Sequence, residues 1–443
     1  MKTDYTLPRL TSASYFQPGR ARRSQALPLF PLLASLGLAV STGARAEGFR
    51  NPPPGAFSLG RAGGRIAQVD DSSAVTQNPA NLMDLKEAEF EFTPSIVYLS
   101  VDYQSPTGAS TQTKDPWHAL PNLFASLPLK QDRFAAGVGI TVPYGLGNAW
   151  ETAPTSPFHY TAPHFTELKT INVNPTFAAR LCDHVTFGAG LDVMWSELTI
   201  KQFYPWLIFP GSTGIEPDGV AKIKGDGYGV GGNLGLTWQI TERQRLAVTY
   251  RSTMSVDYDG SFKISNITPT AAALGASARS DFATRIRFPN IVAVGYGLQV
   301  TDTIRIEADV EWLQFSKFSS LDLSVGNNAF LLPATSVPEN WKDTFTAGIG
   351  GDWKFAESWV LRAGYQYYQS PVPDSTLSPT IPDANQNVLT VGLGYRHGQH
   401  SVEGGYGLDF YDRRNITSNL NPAFNGTYDV TVHLFSFAYR YAF

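Results

Sequence analysis

From residue 304 the chain reads Ile304-Arg305-Ile306-Glu307-Ala308-Asp309-Val310-Glu311-Trp312, with every even position apolar and every odd one charged. Successive side chains on a strand point to opposite faces, so this segment has one greasy face and one ionic face. The pattern recurs. Ile171, Val173 and Phe177 interleave with Asn172, Asn174 and Thr176; Leu246, Val248 and Tyr250 with Arg245, Thr249 and Arg251. Trp359, Leu361, Tyr365 and Tyr367 interleave with Arg362 and Gln366. A soluble sandwich alternates too, but in short strands that bury the apolar face. Here the segments are long, and about fourteen of them follow residue 88, an even number as bacterial barrels have.

The connections between segments are of two kinds. Lys130-Gln131-Asp132, Thr241-Glu242-Arg243, Thr301-Asp302 and Arg396-His397-Gly398 are short and polar. The others, at 104–115, 147–164, 205–218, 260–280, 319–339 and 371–386, are longer and rich in Pro, Gly, Ser and Thr. Short turns at one end and long loops at the other are the asymmetry of an outer-membrane barrel. At the C-terminus Phe435, Phe437, Tyr439, Tyr441 and Phe443 occupy every second position, a closing strand with an aromatic lipid face. Closure leaves no sheet edge, which a bilayer requires because unpaired backbone groups there cost several kcal/mol each.

Composition sharpens this picture. Charged residues are 16% of the 443, against roughly 25% in a soluble domain, while aromatics reach 13%. The net charge of -4 argues against a nucleic-acid partner. The single cysteine, Cys182, excludes an internal disulfide and reads as a lone structural thiol. Arg20, Arg22 and Arg23 precede an apolar run from Leu27 to Val40 and an A-x-A site at Ala44-Arg45-Ala46, so residues 1–46 read as an export signal. A membrane anchor is the alternative, but Pro28 and Pro31 interrupt a run shorter than the ~20 residues a spanning helix needs. No later run is long and apolar enough for such a helix.

Residues 47–87 do not alternate. Asn78-Pro79 places a capping residue before a proline at a first helical position, so short helical turns are expected. The segment is either a periplasmic tail or a plug, and an unplugged barrel of this width leaks. Leu59-Gly60-Arg61-Ala62, Asp70-Asp71 and Asn78-Pro79-Ala80, at this distance after an export signal, resemble the N-terminal hatch of the FadL family of outer-membrane transporters. Pro121-Asn122, Tyr144-Gly145-Leu146, Thr249-Tyr250-Arg251-Ser252, Lys342-Asp343, Ser370-Pro371-Val372-Pro373 and Ile381-Pro382-Asp383 resemble family positions in the family's order.

The reading is therefore an all-β chain: a transmembrane antiparallel β-barrel of about 14 strands over 88–443, plugged by a small N-terminal hatch over 47–87, after a signal peptide over 1–46. The resemblance implies passive import of long-chain fatty acids. In the family the substrate enters a pocket in the lumen and leaves sideways through a gap at an inward kink of the third strand, gated by the hatch. The matching gating residues are Asn78, Pro79 and Ala80 in the hatch and Val142, Pro143, Tyr144 and Gly145 in the strand. Proline withholds a ladder donor and glycine weakens a strand, so a break there is physically sensible; a plain bulge with no transport role is the other reading. Phe49 matches a pocket phenylalanine, and Lys342 matches a basic contact to the substrate carboxylate, though a lumen lysine paired with Asp343 is an equal reading. Gln202 stands where the fatty acid transporters carry a second basic contact, an arginine, and Lys201 beside it faces the other way. Relatives of this fold carry neutral aromatic hydrocarbons, and a weakened anion site suits them, so that substrate class stays open.

Gly227-Tyr228-Gly229-Val230-Gly231-Gly232 matches G-x-G-x-x-G but lies inside a strand pattern with no helix after it, so no nucleotide site is expected. His159 and His164 share a loop without a partner set for a metal. No catalytic constellation is visible, so neither an enzyme nor a cofactor is expected, and a structural or adhesive barrel is the alternative from another class. The expected partners are a hydrophobic small molecule, outer-membrane lipid and the barrel-assembly machinery, around a monomer.

Overall fold

The charged face of the 304–312 segment points into the lumen. Glu307, Asp309 and Glu311 are buried, while Ile306 and Val310 stand outside at 39% and 50% exposure. The same division holds at residues 172–177, where Asn172, Asn174 and Thr176 are inside and Val173 and Phe177 outside. In a bilayer those outer residues face lipid. The computed structural model describes residues 47–129, 133–326, 328, 331 and 336–443. The expected signal peptide and the turn at Lys130-Gln131-Asp132 lie outside the described residues.

The described residues form a closed barrel of 14 antiparallel strands. In chain order they are β1 (Glu89–Phe92 and Ser95–Gln104), β2 (Ser110–Lys114, Trp117–Leu120 and Leu123–Leu129), β3 (Phe134–Thr141 and Leu146–Trp150), β4 (Phe165–Cys182) and β5 (Val185–Tyr204). Next come β6 (Gly219–Thr241), β7 (Gln244–Arg251 and Met254–Ile264), β8 (Arg279–Phe288 and Ile291–Gln299), β9 (Ile304–Leu313) and β10 (Thr344–Ala356). The wall ends with β11 (Trp359–Tyr368), β12 (Gln386–His397), β13 (His400–Tyr411) and β14 (Gly426–Ala442). β1 and β14 zip the barrel shut, from Glu89 opposite Ala442 to Gln104 opposite Thr427. No described helix is long and apolar enough to cross a membrane.

The glycines of the G-x-G-x-x-G match lie in β6 and make room for a neighbouring strand. β6 pairs with β7 up to Asp226↔Asp259 and again from Asn233↔Arg251. Between those points β7 leans over the inner face of β6. A Cβ on Gly227 would strike the Asp257 carbonyl, and one on Gly231 would lie 2.6 Å from Met254 Cγ. The run is a packing device of the wall, not a phosphate cradle.

Residues 47–87 fill the lumen. Their helical turns are α1 (Ala56–Gly60), α2 (Ala74–Gln77) and a 3-10 turn, Pro79–Asp84, which Asn78 caps by accepting from Ala80 N at 3.1 Å. Phe57, Val75 and Leu82 pack in one apolar cluster with the wall residues Phe124 and Ala178. These turns are too short to hold by propensity alone, so packing against the wall fixes them.

Candidate functional site

β3 breaks where its sequence carries Val142-Pro143-Tyr144-Gly145. Its ladder to β4 runs from Phe134↔Ala179 to Thr141↔Asn172 and resumes only at Leu146↔Leu168. Its ladder to β2 stops at Leu123↔Ile140 and resumes at Lys114↔Ala149. Tyr144 N, freed by the break, donates to Thr170 Oγ1 of β4 at 3.2 Å, and other freed groups are taken up by the hatch. Asn51 N donates to Pro143 O at 3.0 Å, Gly145 N to Phe49 O at 2.9 Å, and Asn51 Nδ2 to Val142 O at 2.8 Å. The break is thus sealed by residues 49–51.

The side chain beside that seal lies in a box of rings. Phe49 meets Tyr144, Phe288, Phe315, Phe318 and Trp341, with centroid separations from 5.0 to 6.0 Å. Four segments distant in sequence supply these five rings. Glu339, in the loop before β10, accepts from Trp341 Nε1 at 3.0 Å, and burial pushes its carboxyl up to about 8.

Asn78 is fully buried and its amide ties hatch to wall. Nδ2 donates to Ile66 O at 2.7 Å and to Thr237 Oγ1 in β6 at 2.8 Å. Pro79 and Ala80 lie against Gly188 of β5 so closely that a Cβ there would overlap their backbone. Between this corner, Asn51–Pro54 and the break in β3 lies a cavity of about 90 Å³. Pro79, Val142, Pro143 and Tyr144 line it, with Arg50, Arg65, Arg251 and Glu311 as its charged groups. Pockets for drug-sized ligands are ~300–1,000 Å³, so this cavity as it stands is smaller than such a site.

The ionic face of β9 carries the plug. Glu307 accepts from three successive hatch amides, Ile66 N at 2.6 Å, Ala67 N at 2.5 Å and Gln68 N at 3.0 Å, and from Arg61 Nη2 at 3.3 Å. Asp309 accepts from Arg65 N at 2.6 Å, Arg305 pairs with Asp70 at 2.6 Å, and Glu311 pairs with Arg50 at 2.7 Å and with Arg65. The alternation pointed to an ionic lumen face; nothing local to β9 pointed to its partners, some 240 residues upstream.

The other two substrate-binding expectations fall elsewhere. Lys342 is exposed, on the far side of Trp341 in sequence from Glu339, and its side chain is not brought to Phe49; its backbone N–H donates to Pro371 O at 3.0 Å. Asp343 does not pair with it but accepts from Ser316 N at 3.0 Å. Gln202 is half-buried near the rim, donating to Tyr160 O at 3.0 Å, while Lys201 lies 4.3 Å over the Phe165 ring. Of the expected site residues, the structure brings together Phe49, Pro79, Val142, Pro143 and Tyr144, with Asn78, Ala80 and Gly145 adjoining them.

A closed barrel with lipid-facing apolar residues, a lumen filled by its own N-terminal segment and a sealed break in the wall defines an outer-membrane transport protein. Residues 37–443 match the family described as outer membrane protein transport protein (OMPP1/FadL/TodX). The chain belongs to that family, and so it is an outer-membrane transporter of hydrophobic compounds. It is 28% identical over 390 residues to the long-chain fatty acid transport protein of Escherichia coli O6:H1, covering 80% of this chain and 85% of that one. The Salmonella typhi long-chain fatty acid transport protein is 26% identical over 433 residues, 91% of this chain and 96% of that one. Among solved structures, a Pseudomonas aeruginosa FadL homologue superposes with a TM-score of 0.78 at 22% identity, covering 89% and 100% of the two chains. The Pseudomonas putida toluene transporter TodX gives 0.71 at 20% identity, covering 88% and 99%.

Proposed function

We propose that this protein imports long-chain fatty acids passively, that the hatch residues 49–51 and 78–80 gate the path, and that substrate leaves sideways through the break in β3. The observation that carries the route is the exchange at the break: wall backbone at Val142, Pro143 and Gly145 bonds to hatch residues instead of to β2. Withdrawing residues 49–51 frees both the pocket and the wall opening at once. Lateral exit suits the cargo, because an acyl chain gains about 0.8 kcal/mol per CH₂ on entering lipid. The curated relatives named for long-chain fatty acid transport support that substrate class. Nothing in the route needs an enzyme's chemistry. The aromatic closing strand from Phe435 to Phe443 suits recognition by the barrel-assembly machinery, and one chain makes one complete pathway, so a monomer suffices.

Aromatic hydrocarbons are the second reading, favoured by the ring box around Phe49 and by the exposed position of Lys342. Uptake of oleate and of toluene, measured in cells lacking their own transporters, separates the two. Oleate uptake is expected; toluene uptake without oleate would overturn the fatty acid reading.

A further inference from the structure

The cavity beside the β3 break is lined by three guanidinium groups and one carboxylate. The other acid partners of these groups, Asp192 and Glu47, are not among the lining residues, so the charge that faces the cavity is chiefly guanidinium. Arg65 is accounted for by the plug: it donates to Gln77 Oε1 at 2.9 Å and pairs with Glu311. Arg251 is different. It ends the first stretch of β7, at the point where that strand begins its lean over β6. Its Nη1 donates to Asp192 Oδ1 at 2.7 Å and its Nη2 to Thr76 O at 3.1 Å. A guanidinium carries five N–H donors, so three remain. Asp192 is fully buried in the wall behind it and is itself held by Asn172 Nδ2 at 2.7 Å, so the brace is rigid. Arg50 likewise gives two donors, to Glu311 at 2.7 Å and Glu47 at 3.4 Å, and keeps the rest.

We propose that Arg251, braced by Asp192, acts with Arg50 as a carboxylate-binding station in the lumen, level with the break in β3, for the headgroup of a long-chain substrate. Arginine is suited to this, since its planar fork offers a carboxylate two parallel N–H···O bonds. Val142, Pro143 and Tyr144 line the same cavity, so a headgroup held there lies next to the opening through which its chain leaves. The station adds an anion contact at the level of the break, in a cavity that neither Lys342 nor Gln202 lines. The inference rests on the fatty acid reading above. Arg50 moves with the hatch whereas Arg251 belongs to the wall, so Arg251 is the group that keeps the headgroup while the gate opens.

The test compares oleate with oleyl alcohol, the same chain without the charge, in cells expressing the full protein. Arg251→Gln leaves Asp192 buried and unpaired, so the double variant Arg251→Gln/Asp192→Asn is made beside it, with folding checked by electrophoretic heat-modifiability. The ratio of oleate to oleyl alcohol uptake is expected to fall about tenfold or more in the double variant, the size of a lost charge-assisted hydrogen bond. Arg251→Lys is expected to recover part of it. An unchanged ratio in a folded double variant overturns the station and leaves the fatty acid reading standing. Wild-type cells that take up toluene but no oleate overturn the fatty acid reading itself, and the station with it.

Discussion

Phe49 and Trp341 stack at a centroid separation of 5.0 Å with 27° between their planes, which clamps the first hatch residues against the loop that leads into β10. The same residue's carbonyl accepts from Gly145 N in the broken strand. One residue therefore links the ring box to the seal. Truncating a buried phenylalanine costs roughly 3–5 kcal/mol. Phe49→Ala is expected to loosen the seal before it affects the wall: the Gly145 and Asn51 amides should lose hydrogen-exchange protection by two orders of magnitude or more, while ladder amides such as those of β12 and β13 keep theirs. Equal loss in both sets would mean that Phe49 supports the whole barrel.

One amide of Asn78 ties the hatch together and to the wall, donating to Ile66 O within the hatch and to Thr237 Oγ1 in β6. Asn78→Asp keeps the cap to Ala80 and removes both donors. Oleate uptake is expected to drop at least tenfold in Asn78→Asp and in Asn78→Ala with the barrel still folded. Gly188→Val should reproduce the defect from the other side, because a side chain there collides with Pro79 and Ala80. Normal uptake in all three variants would sink the gating role of this corner.

Glu307 holds three consecutive hatch amides with one carboxylate. Removing one partner of a buried charged contact is destabilising by about 3–5 kcal/mol. Glu307→Ala is therefore expected to unseat residues 61–68 and raise ion conductance through single molecules in planar bilayers. The control is Val310→Ala, one of the lipid-facing residues of the same strand, which should stay as closed as wild type.

The loop around Trp341 should respond to external pH through Glu339. Its carboxyl is raised from an ordinary 4.5 to about 8, chiefly by burial. Between those values the folded loop holds a proton that the unfolded loop has released, so its stability falls as pH rises and levels off above about 8. The Glu339 and Asn340 amides, both bonded to Ser319 O at 2.9 Å, report on it. Their protection factors are expected to decline from pH 6 to pH 9 in the wild type and to stay flat in Glu339→Gln. A decline that persists in Glu339→Gln would assign the effect to another group.

Much of the barrel is legible in the sequence because its rule is local. A two-residue period is written within ten residues, so Ile306 out and Glu307 in follow from the text of β9 alone. The break in β3 is legible for the same reason, since a proline and a glycine act on their own backbone. The partners of the lumen face are not. Glu307 meets Ile66 and Phe49 meets Trp341 only after the sheet has closed around the hatch, and no short-range pattern encodes that pairing. At 341–342 the tryptophan turns inward to stack on Phe49 while Lys342 is exposed, a division that matching by position does not reveal. Arg251 is visible in the sequence as a polar member of the alternation in β7, but its brace, Asp192, lies two strands away in β5.

The zip between β1 and β14 bears on how such a molecule is made. The hatch precedes β1 in the chain, and β14, the last of the described strands, pairs back onto β1 to complete the wall. Without the pairing of Gly426–Ala442 to β1 the wall would be an open sheet, with the acids of β9 reachable from its side. The topology thus favours one order over the other: a plug seated before the β1–β14 seam closes needs no threading. A plug arriving after closure would have to thread a hole that its own side chains are shaped to fill.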